Sequence, residues 1–173
     1  TQSGSVGVEA LGVSGVIGWG LRAFVGLGNR VDIGENDLLD HFARDGKTRC
    51  IALYLETFQH KKRFMELCRS ITPTKPVVVL KAGRSGMAQA AIASHTGKMA
   101  SPEDVFYRVG RQYGIVLARN EEQLTDLAKI LSREPATTNT GVAVITFGGN
   151  YGIITLDLIS EIDFLTVASL TEK

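Results

Sequence analysis

The sequence predicts an α/β protein with a parallel sheet covered on both faces by helices, a three-layer α/β/α arrangement. Three observations carry this. Apolar, β-prone runs alternate with amphipathic helical segments at the rhythm of crossover units. The 173 residues are 44% apolar and 21% charged, a composition that supports a packed core. Glycine is in excess, 19 residues against only 4 prolines, and it gathers in two clusters where turns feed helices.

The elements follow in chain order. T-Q-S-G-S-V-G, at the start of the glycine-rich first 34 residues, opens a helix near Ser3-Gly4-Ser5, with Val6, Val8 and Leu11 following. Arg22–Leu27 (R-A-F-V-G-L) reads as a short strand. Asn36 reads as the N-cap of a helix running to about Arg44, with Leu38, Leu39 and Phe42 on one face. Arg49–Leu55 is a near-continuous apolar run, the pattern of a strand buried on both faces. Lys61–Ser70 places Phe64, Met65, Leu67 and Cys68 at helical spacing, and Pro76–Leu80 is a plain strand. A short Ala-rich helical stretch covers Met87–Ala93. Ser101-Pro102-Glu103 opens a helix to about Tyr113, Gly114–Ala118 is a strand, and Glu121–Ser132 is an amphipathic helix.

The polar run R-E-P-A-T-T-N-T is the one strong boundary signal. It divides the chain into a domain over residues 1–133, a linker over 134–140 and a second piece over 141–173. That piece reads strand (Val142–Phe147), helix (Tyr151–Ile162), strand (Leu165–Ala168). A β-α-β unit of this size cannot bury its own core. It is therefore expected either to pack on the first domain or to be the start of a second one.

Several function classes are excluded at this level. A net charge of +1 lacks the electrostatic footprint of a nucleic-acid binder. No run of about 18 apolar residues exists, so no membrane helix is expected, and the first residues lack the basic region of a signal peptide. Cys50 and Cys68 lie in apolar-periodic segments and read as reduced thiols of a cytoplasmic protein. No metal-ligand pattern is present.

Two features carry candidate chemistry. Both glycine clusters stand at helix starts: Ser3, Gly4 and Ser5 in the first, and Gly148, Gly149 and Asn150 within T-F-G-G-N-Y-G in the second. Amides at a helix N-terminus lack partners and favour anions, and glycine lets a phosphate approach. Neither loop is a Walker A or a full G-x-G-x-x-G, and tight βα turns use glycine without any ligand. The second feature is His95. His41 reads as solvated or as stabilising a helix C-terminus and His60 as part of a solvated face, whereas His95 stands in A-S-H-T-G with hydroxyls on both sides and no apolar period around it. A neutral imidazole is a competent nucleophile, and it needs a group to fix its tautomer. Glu56, at the carboxyl end of the strand ending at Leu55, is the candidate, because ligands gather at that end of parallel sheets.

These pieces together resemble the ADP-forming acyl-CoA synthetases, relatives of succinyl-CoA synthetase. The resemblance rests on T-Q-S-G-S-V-G, V-G-L-G-N-R-V-D at Val25–Asp32, N-D-L-L-D-H-F at Asn36–Phe42, I-A-L-Y-L-E at Ile51–Glu56, K-P-V-V-V-L-K-A-G-R-S at Lys75–Ser85 and A-S-H-T-G at Ala93–Gly97. It implies a flavodoxin-like CoA-ligase domain followed by the start of a second flavodoxin-like domain. Such enzymes interconvert acid, CoA and ATP with acyl-CoA, ADP and phosphate. By the resemblance, His95 carries the phosphoryl group, Glu56 hydrogen-bonds the ring, and the two helix N-termini hold the phosphate. No cofactor is expected on this chain. CoA, ATP or ADP and Mg²⁺ belong to a CoA-binding domain and an ATP-grasp domain, in the same protein or a partner subunit. A small carboxylic acid is the expected substrate, and a homo-oligomer is compatible. The chain alone is expected to be inactive.

The sequence departs from the family in three places. Lys98, Met99, Ser101 and Pro102 follow S-H-T-G where small residues are usual. Phe147 and Asn150 replace Asn and Gly in the second loop, and Thr57-Phe58-Gln59 follow Glu56 where glycine is common. Two other readings compete. One is an acyl-CoA-sensing regulatory region of a protein acyltransferase, against which the retention of both His95 and Glu56 argues. The other is a flavin-binding flavodoxin, which lacks an aromatic-rich loop here and has a single tryptophan, Trp19.

Overall fold

The computed structural model describes residues 1–16, 20–96, 103–135 and 137–169. They fall into two compact units, Thr1–Glu134 and Pro135–Lys173.

In the first unit, α1 (Gly4–Val16) and α2 (Glu35–Arg44) precede β1 (Ile51–Leu55). They are followed by α3 (Lys61–Ile71), β2 (Val77–Lys81), α4 (Gly86–Thr96), α5 (Glu103–Gln112), β3 (Val116–Ala118) and α6 (Glu121–Arg133). The strands form a parallel sheet in the order β1-β2-β3, with Ile51 beside Val77 and Val78 beside Val116. All five β2 positions are buried, as a central strand between two helical layers requires. Strand alternation sorts the core into two halves. Val77 and Val79 join Ile51, Leu53, Leu55, Leu39, Phe64, Cys68 and Phe106 under α2, α3 and α5. Val78 and Leu80 join Ala118, Leu124 and Ala128 under α6. This is the three-layer α/β/α arrangement expected from the alternation, and the flavodoxin-like fold that the resemblance implies.

Phe64 is fully buried, with its ring 4.9 Å from Phe58 and 6.4 Å from Phe106. Asn120 caps α6, its side chain accepting the Gln123 amide at 2.8 Å. Lys75 closes the C-terminus of α2 by donating to the carbonyls of Phe42, Ala43 and Asp45 at 2.7, 2.8 and 2.9 Å. Both cysteines are free, and burial pushes the Cys68 thiol up to about 12 and the half-buried Cys50 thiol up to about 11. Among the described residues no helix is long and apolar enough to cross a membrane.

Several elements differ from expectation. Arg22–Leu27 is extended but is not a strand. Its ladder-type bonds run to one residue, the Thr1 nitrogen donating to Val25 O at 2.9 Å and the Leu27 amide to Thr1 O at 2.8 Å. β1 is buried on one face rather than both: Ala52 is exposed and Tyr54 half-buried. An apolar cavity of about 550 Å³ along its outer edge, between β1 and residues 20–25, accounts for this. The N-cap of α2 is Gly34, not Asn36. Asn36 is drawn into the core, donating to His60 O at 3.3 Å, while the Gly34 amide donates to Asp37 Oδ2 at 3.0 Å. A side chain at position 34 would collide with Gln59, 2.2 Å from where its Cβ would stand. The expected start of a helix at Ser101-Pro102 lies outside the described residues.

The second unit, described by itself, holds β4 (Gly141–Val142), α7 (Gly149–Ser160) and β5 (Thr166–Val167), with β4 and β5 parallel. β4 is shorter than the Val142–Phe147 run. A strand exists only where a partner supplies a ladder, and β5 offers two residues. α7 is apolar all round: Ile153, Ile154 and Leu158 are exposed, and Ile159 is buried.

Two stability predictions follow from the packing. Phe64→Ala is expected to cost about 3–5 kcal/mol and Asn120→Ala about 1 kcal/mol, read as shifts in urea midpoint at constant slope. A third concerns acid. Asp45 accepts the Lys47 amide and the Thr48 hydroxyl and faces Arg22, and these hold its carboxyl below the ordinary value of 3.8. Its stabilisation is therefore present above that value and lost as pH falls through the lowered one. Asp45→Asn should flatten the acid limb of the stability profile in that window, while an unchanged limb would exclude Asp45 as a contributor.

Candidate functional site

The site residues of the first unit stand at the carboxyl edge of the sheet and at the entry to α1. Thr1 shapes that entry. Its hydroxyl donates to Ser3 O at 2.8 Å and accepts the Ser3 amide at 3.2 Å, which turns the chain into α1 at Gly4. The Ser3 and Ser5 hydroxyls meet at 2.9 Å. Nothing lies within 4 Å of where a Cβ on Gly4 would be, so the backbone there is open. The first amides of α1 have no intrahelical acceptor. Gly7, one turn on, serves packing instead, since a Cβ there would overlap the Phe24 ring at 2.0 Å.

Glu56 directly follows β1 and is half-buried. Its peptide is gripped from both sides. The amide donates to the Gln2 side chain (Oε1) at 2.8 Å, and the carbonyl accepts from Lys81 Nζ at 2.7 Å. Lys81, at the end of β2, is 1% exposed and also donates to Ala82 O. The Glu56 carboxylate makes no hydrogen bond or ion pair among the described residues. Its charge is felt next door: burial first, then the charges of Glu56 and Glu121, raise the Tyr54 hydroxyl above its ordinary value.

Beneath this loop lies a buried ionic network. Arg30 and Glu35 pair at 2.8 Å with side chains 3% and 0% exposed. The Arg30 guanidinium also donates to Thr57 O at 2.8 Å and to the Thr57 hydroxyl, and Glu35 Oε1 accepts the Gln59 amide at 2.7 Å. The Gln59 side chain donates back to Arg30 O at 2.7 Å. Arg30 has a left-handed backbone, φ 55°, a conformation that costs a non-glycine residue on the order of 1–2 kcal/mol. The network holds it there.

The loop after β2 leads to α4. Gly83 takes φ 85°, Arg84 lies over the Tyr107 ring at 5.2 Å, and Ser85 accepts the Ala88 amide at 3.1 Å, capping the helix. α4 runs past the expected Met87–Ala93 stretch to Thr96, so His95 belongs to its last turn. The His95 side chain lies outside the described residues, as do Gly97, Lys98, Met99, Ser101 and Pro102. His41 and His60 are exposed.

In the second unit Thr146 braces its loop as Thr1 does. Its hydroxyl donates to Gly148 O and accepts the Gly148 amide, both at 3.1 Å, and α7 starts at Gly149, over which there is open space. Asn150 is exposed. Gly148 is packed, because a Cβ there would fall 2.8 Å from the Tyr151 ring.

The structure thus brings together Ser3, Gly4, Ser5 and Glu56 through Gln2, and it places Gly148, Gly149 and Asn150 at an equivalent turn of the second unit. Sequence alone does not single out Gln2, Arg30, Glu35 and Lys81, and it marks Thr57 and Gln59 only as departures from the family after Glu56. Gln2, Arg30 and Lys81 lie within the motifs T-Q-S-G, G-N-R-V-D and K-A-G-R-S, which was the available signal. Among the described residues no three His, Cys, Asp or Glu side chains converge as a metal set would.

Comparison with known proteins adds to this geometry. The family model described as succinyl-CoA ligase like flavodoxin domain matches residues 1–131. The chain is 37% identical over 161 residues to the acetate–CoA ligase [ADP-forming] I subunit alpha of Pyrococcus furiosus, covering 93% of this chain and 35% of that one. It is 30% identical to the 4-hydroxybutyrate–CoA ligase [ADP-forming] of Nitrosopumilus maritimus, covering 100% of this chain and 25% of that one. A solved structure, the dinucleotide forming acetyl-coenzyme A synthetase 1 of Ca. Korarchaeum cryptofilum in complex with phosphate and ADP, superposes with a TM-score of 0.88 at 30% identity, over 98% of this chain and 37% of that one. The chain therefore spans about a quarter to a third of these relatives.

The ionic network yields a prediction. Glu35→Ala leaves Arg30 buried without its anion and should cost about 3–5 kcal/mol, whereas the double change Arg30→Met with Glu35→Leu should cost clearly less. Urea denaturation of the two variants checks this. Equal losses would show that the pair's charge balance is not what matters.

Proposed function

Because the chain belongs to the family of succinyl-CoA ligase-like flavodoxin domains, we propose that it is the phosphoryl-carrying region of an NDP-forming acyl-CoA synthetase. In this reading a phosphoryl group leaves an acyl phosphate for a ring nitrogen of His95, and then leaves the ring for ADP. The reverse sequence runs from acid, CoA and ATP. Glu56 orients the imidazole and stabilises it once it is substituted. The Ser3 and Ser5 hydroxyls with the amides of Gly4 and Ser5, and the amides of Gly149 and Asn150 beside Gly148, receive the phosphate oxygens, while the Ser3 and Gly148 amides stay with their threonine braces. Each helix N-terminus contributes roughly 0.3–1 kcal/mol towards an exposed anion and up to about 2 when partly buried.

The observation that carries the reading is Glu56. It stands at the carboxyl end of β1 with its peptide fixed on both sides, and among the described residues its carboxylate makes no hydrogen bond or ion pair. The braces at Thr1 and Thr146 give each loop, taken by itself, the same kind of turn into a helix start. CoA, the nucleotide and Mg²⁺ are assigned to a CoA-binding domain and an ATP-grasp domain of the same protein or a partner subunit. The substrate is a small carboxylic acid and the compartment is the cytoplasm. The apolar surface of α7 fits a second unit that opens another domain of the same class.

The whole protein, incubated with radiolabelled ATP and Mg²⁺, should become labelled in an acid-labile, base-stable form. His95→Ala should abolish the label, and Glu56→Gln should slow its formation by roughly 10²-fold or more. Wild-type labelling of His95→Ala would overturn the assignment.

A further inference from the structure

Gln2 lies 54 residues before Glu56 in sequence and touches it in space. Its amide oxygen accepts two N–H groups, from Glu56 at 2.8 Å and Thr57 at 3.1 Å, and its amide nitrogen donates to Thr57 O at 2.8 Å. The orientation of the amide is fixed by chemistry, because two donors face one end and a carbonyl faces the other. The Gln2 backbone amide donates to Tyr54 O at 3.2 Å, as a neighbouring strand would. One residue later the chain turns away into α1. The side chain then continues the ladder along residues 56 and 57 after the main chain has left it.

We propose that Gln2 is a positioning residue for phosphoryl transfer, its side-chain amide locking the α1 anion loop and the Glu56 carboxylate into one register. The inference rests on the reading of Glu56 and the α1 loop given above. With Gln2 on the Glu56 amide and Lys81 on its carbonyl, rotation within the Glu56 side chain is the freedom left to the carboxylate. The same residue is joined directly to Ser3. A shift of the loop is therefore a shift of the acid. Asparagine is one methylene too short to reach both peptides, methionine offers no polar atom, and glutamate sets a second oxygen against Thr57 O.

The test uses the whole protein and the ATP-labelling reaction, with His95→Ala and Glu56→Gln as references. Gln2→Met should lower the labelling rate at saturating ATP by roughly 10–100-fold, the scale of an ångström-sized misplacement, with the KM for ATP unchanged. Gln2→Glu supplies a readout that a purely structural role would not move. Its introduced carboxyl can donate to Thr57 O only when protonated, so its rate relative to wild type should rise as the pH is lowered from about 8 towards about 5. Gln2→Met labelling within about threefold of wild type overturns the proposal and leaves the functional reading standing, provided Glu56→Gln is slow. Should Gln2→Met fail to fold, a Gln2→Glu ratio that is flat with pH overturns it equally. Wild-type labelling of His95→Ala removes the functional reading and this inference together.

Discussion

The Arg30–Glu35 pair sits beneath the carboxyl edge of the sheet, and the loop that carries Glu56 is built on it. Two opposite charges buried to this depth need polar partners beyond each other, and here these are the carbonyl and hydroxyl of Thr57 for Arg30 and the amide of Gln59 for Glu35. That requirement shapes the chain on either side. It fixes the left-handed turn at Arg30 and places Glu35 in the first turn of α2, and a Cβ at position 34 would displace the Gln59 side chain that donates to Arg30 O. The 56–59 loop is thus rigid from below before Gln2 and Lys81 act on it from the flanks. A hydrophobic floor of equal volume would stabilise as much. It would not dictate where each peptide of the loop points.

The fold was legible because its signals are redundant. β2 shows in the run V-V-V-L alone. α3 shows in the helical spacing of Phe64, Met65, Leu67 and Cys68, and α6 in the amphipathic stretch Glu121–Ser132. Arg22–Leu27 and Val142–Phe147 misled for one reason: residue pattern reports β preference, while a strand also needs a partner. β1 misled differently. Its apolar run met the expectation of two buried faces, but composition says nothing about a cavity beside one of them. Asn36 lost the cap to Gly34 because tertiary contacts with His60 and Gln59 outweighed local preference.

The site was legible in a different way. Glu56 could be placed from topology, since the end of a parallel strand is where ligands gather. The serine and glycine positions could be placed from the physics of helix starts. The groups that hold them could not. Gln2, Arg30 and Lys81 act on backbone atoms of distant residues, and a side chain that binds a peptide leaves no pattern in the composition of the peptide it binds. The glycine placement shows that both loops start helices, but the brace they share is hidden in the same way. It lies in a threonine hydroxyl bracing the residue two positions on, in both T-Q-S-G and T-F-G-G, while the residues between the threonine and the brace differ altogether.

The two cysteines carry a practical consequence. With burial raising both thiols, the thiolate that reacts with maleimides and disulfide reagents is scarce at neutral pH in either residue. The background from these two positions is therefore low. A single cysteine introduced on an exposed surface of this region could carry a fluorophore or spin label without first replacing Cys50 and Cys68. The core position at Cys68, closely packed beside Phe64 in the same cluster, need not be disturbed to prepare a reporter for movement at the other end of the domain.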